Sequence, residues 1–108
     1  MNQARFRKLA LSLGGVEERP HMDRTAFRTR RKIFATMGKD DRVNLIIHPA
    51  EKREGLIESF PDAFFSLGGW TRLGYVAVDL HAVDEALLRE LVTEAWRDAL
   101  PLRRSRKR

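Results

Sequence analysis

The chain contains no cysteine, which excludes a disulfide framework, a thiolate metal site and a thiol nucleophile together. No apolar run approaches the roughly 20 residues that a membrane-spanning helix needs, so no membrane association is expected. Aromatic residues are few, with six Phe, two Trp and a single Tyr. Acidic residues are missing locally: none occurs over 24–37, while Arg24, Arg28, Arg30, Arg31 and Lys32 crowd around Phe27. There is no Gly-rich phosphate loop, and Ser12, Ser59 and Ser66 lack a nucleophile-elbow context. The residues ask for binding rather than catalysis, and a non-enzymatic role is expected.

What is present suits one folded domain. A chain of 108 residues is long enough for a single hydrophobic core, and 43% hydrophobic with 33% charged residues is ordinary for a globular protein. The N-terminal residues are basic and then apolar, as a signal peptide would be. Their apolar positions, Phe6, Leu9, Ala10 and Leu13, nevertheless fall on one helical face, so they read as the first helix of the domain. A cytoplasmic location fits the missing cysteine.

The net charge of +6 and pI near 10.5 are unevenly placed. The last eight residues hold five of the 21 basic groups, leaving 16 against 15 acids in the remainder. Within that body, residues 1–32 carry nine basic and three acidic groups, whereas residues 33–100 carry seven and twelve. The domain is polarised, and a partner with negative charge would be drawn to one side and to the tail.

Patterning predicts a first helix capped by Asn2 and ended by Gly14-Gly15. A short edge strand follows at 16–21, where Pro20 is tolerated, then a turn at Asp23-Arg24-Thr25. Strands are expected at 26–30 and 32–37, with a tight turn near Arg31, and another at 42–48. Pro49 is placed as the first residue of a helix reaching about Phe60. Ala63-Phe64-Phe65 reads as a helical turn, 70–80 as one or two strands kinked at Gly74, and 84–100 as a helix capped by Asp84. The expectation is an α+β domain over 1–102, an antiparallel sheet with helices on one face in the order α-β-β-β-α-β(β)-α. A basic tail over 103–108 is expected to be disordered.

Several ordered pieces carry a family resemblance: Leu13-Gly14-Gly15-Val16-Glu17-Glu18, His21, Ala26-Phe27-Arg28, Lys32-Ile33-Phe34-Ala35, Asn44-Leu45 and Pro49. They continue with Gly69-Trp70, Val76-Ala77-Val78-Asp79-Leu80 and Ala95-Trp96-Arg97. Together they resemble the MmcQ/YjbR family, small bacterial domains described as DNA-binding with a double-wing motif and similar in fold to secretion chaperones and the frataxin-like group. Two departures stand out. Arg31 occupies a turn where relatives often have glycine, which implies mild strain if the backbone there is left-handed, and Tyr75 stands where many have tryptophan. The frataxin-like comparison implies iron along an acidic first helix, but Arg5, Arg7 and Lys8 make this one basic.

Two candidate surfaces emerge. The first is a basic hairpin of Arg24, Arg28, Arg30, Arg31 and Lys32, joined by Arg42, whose guanidinium groups would meet the phosphates of duplex DNA. The bland alternative is the solvated face of a half-buried sheet. Arg103, Arg104, Arg106, Lys107 and Arg108 would add non-specific phosphate contacts. The second groups Trp70, Arg72 and Tyr75, which could stack on a base or grip a protein partner in the manner of the secretion chaperones. Against that, a tryptophan after Gly-Gly usually caps a small core, and burial of Trp70 is the expectation; Trp96 is expected against the sheet. His21, His48 and His81 lack ligand spacing, and Glu51, Glu54 and Glu58 form a solvated helix face. No metal or cofactor is expected.

Overall fold

A computed structural model of the chain describes residues 1–101, so the basic tail lies outside the described residues. Helix α1, Gln3–Leu11, starts where the Asn2 side chain accepts the Arg5 amide hydrogen at 2.9 Å. The strands β1 (Glu17–His21), β2 (Arg24–Arg28), β3 (Ile33–Met37) and β4 (Arg42–Ile46) follow in hairpin succession. Then come α2 (Ala50–Ser59), β5 (Phe64–Ser66), the single turn α3 (Gly69–Arg72), β6 (Tyr75–Asp79) and α4 (Glu85–Ala99). The six strands form one antiparallel sheet in the order β1-β2-β3-β4-β6-β5. The result is a single α+β domain.

Register divides the sheet into two faces, because side chains alternate along each strand. Phe27, Ala35, Leu45 and Val76 are cross-strand neighbours on one face, and all are fully buried. Helix α4 lies over β3 and β4 on that side, contributing Leu88, Leu91, Val92 and Ala95 to the core. The Phe6 ring of α1 meets Phe27 edge-on at 5.8 Å, and α2 is tied to α4 by Lys52 and Glu94. The indole N–H of Trp96 donates to the Gly14 carbonyl at 2.8 Å, fixing α4 to the segment after α1. On the other face, Arg19, Ala26, Thr36, Asn44, Ala77 and Phe65 form one cross-strand row. Helices α1, α2 and α4 do not pack on that row, although Ala26, Thr36 and Ala77 within it are buried.

The structure corrects several sequence expectations. The expected order counts three strands before α2 where four form, although the edge strand expected at 16–21 is present as β1. Phe64 and Phe65 form β5 rather than a helical turn, because pairing with β6 satisfies their backbone groups. Trp70 belongs to α3, not to a strand. A chain that re-enters the sheet at Tyr75 needs Gly74, whose φ is 111° and where a Cβ would sit 3.0 Å from His48 Cε1. Pro49 is the N-cap of α2, so the helix begins at Ala50, one residue later than expected. The first hairpin turn is Met22-Asp23, with His21 paired to Arg24. It is Met22, at φ 59°, and not Arg31, that holds a left-handed backbone.

Candidate nucleic-acid interface

Arg24 begins β2 and lies on the uncovered face. Its Nε donates to Thr36 Oγ1 at 3.0 Å and its Nη2 to the Thr36 carbonyl at 3.2 Å. The guanidinium therefore lies flat across β3, and a Cβ on Gly38 would come within 2.6 Å of its Nη1. Three of its five N–H donors remain for a ligand. Arg28, four residues along the same strand, donates Nε to the Thr29 carbonyl at 3.1 Å; its separation from Arg24 is about 13 Å by strand rise. Arg42 of β4 sits two residues from Asn44 on the same face, with its guanidinium 4.6 Å from the centre of the Phe65 ring.

The connection between β2 and β3 differs from a projecting wing. The Thr29 hydroxyl donates to the Ala99 carbonyl and receives the Arg31 and Lys32 amide hydrogens at 3.2 and 3.3 Å. Arg31 donates to the Asp98 carbonyl. These two carbonyls belong to the last turn of α4, which lacks intrahelical partners, and a cation there also suits the helix dipole. Arg31 is thus turned to the helix layer. Arg30 is exposed at the turn and Lys32 is half-buried. The predicted cluster separates into an open-face set, Arg24, Arg28 and Arg42, and a turn set pinned to α4.

Ion pairing separates these cations from some others in the fold, though Lys8, Lys39, Arg53 and Arg97 are, like them, without a carboxylate partner among the described residues. Arg5, Arg7, Arg19, Lys52 and Arg89 each reach a carboxylate. Among the described residues, none of Arg24, Arg28, Arg30, Arg31, Lys32, Arg42 and Arg72 has a carboxylate within ion-pair distance.

The second predicted group borders the first. Trp70 is 62% exposed, against the expected burial, because α3 folds over the sheet's uncovered side instead of closing the core. Its ring meets half-buried Tyr75 edge-on at 6.4 Å. Between these rings and the Met22-Asp23 turn lies a cleft of about 210 Å³, floored by Arg24, Thr36 and Asn44. Arg72 is exposed on α3. Burial raises the Tyr75 phenol above its ordinary pKa by penalising the charged phenolate. The sequence reading did not single out Met22, Thr36 or Asn44 for a site. A polar Asn within the apolar strand RVNLI was the available signal. Among the described residues, no three His, Asp or Glu side chains come together as a metal site, and no helix is long and apolar enough to cross a membrane.

A model of the YjbR family matches residues 11–98. Among solved structures, the chain is similar to the Deinococcus radiodurans protein DR2400, described by its domain DUF419. The TM-score is 0.74 at 21% identity, covering 87% of this chain and 75% of that one. At that identity the likeness speaks for the fold alone. No curated protein matches the sequence.

Proposed function

This chain belongs to the YjbR family, and for it we propose a non-enzymatic role in binding the phosphate backbone of nucleic acid in the cytoplasm. The observation that carries this reading is the absence of carboxylate partners around Arg24, Arg28, Arg30 and Arg42, where Arg5, Arg7, Arg19 and Arg89 are each ion-paired. An unpaired guanidinium keeps its donors for an external oxyanion and loses no internal ion pair on binding. The contact surface in this reading is the open sheet face with Arg24, Arg28 and Arg42, flanked by Arg30 at one end and Arg72 on α3, and not a protruding hairpin tip. Affinity should fall steeply with salt, since each neutralised phosphate releases counterions. Replacing Arg28, Arg30 and Arg42 together by alanine is expected to flatten the slope of log K against log salt by about 2–3. An unchanged slope in polarisation titrations would refute the assignment.

A second reading rests on the exposure of Met22 (91%), Trp70 (62%) and Leu73 (63%), which suits a protein contact. It predicts self-association or capture of an apolar peptide, read by sedimentation, with loss on Trp70→Ala.

A further inference from the structure

The cleft beside α3 combines features that plain phosphate binding does not require. At about 210 Å³ it is smaller than the roughly 300–1,000 Å³ of sites for drug-sized ligands, so it has room for one planar ring and not for a base pair. One wall is aromatic, with Trp70 set edge-on to Tyr75 and more than half its surface in water. The floor is polar and partly unsatisfied. Thr36 Oγ1 is engaged by Arg24, but the Asn44 carboxamide makes no hydrogen bond among the described residues, although it is half-buried on the sheet. A side-chain amide offers a donor and an acceptor side by side, the pattern that pairs with the edge of a nucleobase. Arg24 lies next to Asn44 on the same floor, and Arg42 is two residues from it along β4.

The opposite rim is Met22, 91% exposed and held at φ 59°. A residue other than glycine in the left-handed region carries backbone strain, and here that turn places Met22 at the rim of the cleft. Charge complementarity selects the occupant. A lone apolar side chain would leave Asn44 unsatisfied and gain nothing from Arg24 and Arg42.

We infer that this cleft takes a single unpaired nucleobase, stacked on Trp70 with its edge on Asn44, while Arg24 and Arg42 hold the flanking phosphates. This rests on the nucleic-acid reading above and adds a preference for single strands to it. In a duplex the base edges are paired and the faces stacked, so the cleft could be filled only by extruding a base from the stack.

The test titrates the full chain, by tryptophan fluorescence and polarisation, with four probes. They are a short oligodeoxyadenylate, an abasic strand of equal length and charge, a blunt duplex and adenosine monophosphate. The base-bearing strand should quench Trp70 and bind about tenfold more tightly than the abasic strand, the scale of one base–aromatic stack. Trp70→Ala and Asn44→Ala should erase that ratio while leaving abasic affinity and its salt slope intact. Trp70→Phe should restore part of it, which a merely structural tryptophan would not do. If the ratio is near one, or survives both alanine changes, the base site is overturned while the phosphate surface stands. If no strand binds at low salt, both readings fall. Tight binding of the free mononucleotide, or burial of Trp70 by self-association without nucleic acid, would assign the cleft to another occupant and overturn the inference.

Discussion

On the helix side of the sheet, Phe27, Leu45, Val76 and Val78 are fully buried. Their chain neighbours on the other side, Arg28, Asn44, Tyr75 and Asp79, keep part of their surface in contact with water. The same three strands serve both faces, so backbone pairing cannot account for the contrast. It arises from the partner layer. Helices α1 and α4 bring apolar side chains to one face, where area removed from water stabilises at about 25 cal/mol per Å². Over the other face lies the single turn α3, and there Ala26, Thr36 and Ala77 are buried while the longer polar side chains reach water. One face carries the core, and the other keeps Arg24, Arg42 and Asn44 in contact with solvent.

Substitutions that separate the faces test this contrast. Phe27→Ala removes a ring packed against Phe6 and should cost about 3–5 kcal/mol in denaturant unfolding. Asn44→Ala, the open-face counterpart, should shift stability by less than about 0.5 kcal/mol. Comparable losses at both sites would abolish the distinction between a structural and a binding face.

Thr29→Val keeps the shape of the side chain but removes the hydroxyl that joins the β2–β3 turn to Ala99. A loss of about 1–3 kcal/mol is expected from the orphaned buried groups, together with faster amide exchange in the last turn of α4. If exchange there is unchanged, the turn is not pinned in the way its hydrogen bonds indicate.

The smallest effect concerns the only tyrosine in the chain. Tyr75 should ionise above the ordinary value of about 10, because partial burial disfavours the phenolate. The folded state holds this proton more tightly than the unfolded state. Its contribution is therefore fully present below pH 10 and is lost as pH rises through the folded pKa. An absorbance titration checks the shift, and Tyr75→Phe should remove the corresponding fall in stability. A midpoint at or below the free value would place the ring in water and weaken the aromatic wall of the cleft.

Much of the fold was legible because periodicity is a local property. The alternation in 42–48 and the apolar stripe of 85–99 report one buried face each, and Asn2 and Asp84 cap the helices that follow them as expected. The pieces that misled are short. Phe64-Phe65 is too brief to distinguish a strand from a turn by period, and only pairing with β6 decides it. Gly69–Arg72 carries no pattern at all, and its helical turn is set by the glycines around it and by the sheet it rejoins. For the interface, the sequence supplied the cations, and Trp70 and Tyr75, but expected a hairpin wing and a buried tryptophan.

The amino-acid order by itself determined the longer elements, the buried stripes, the polarised charge and the family, since these are written in segments that can each be read along the chain. Tertiary structure decided which cations are left without carboxylates, that Arg31 caps α4, and that Met22, Asn44 and Trp70 meet around one cleft. Those facts depend on cross-strand register and on which layer covers each face. Both bring together residues that are dozens of positions apart, and no local pattern records that distance.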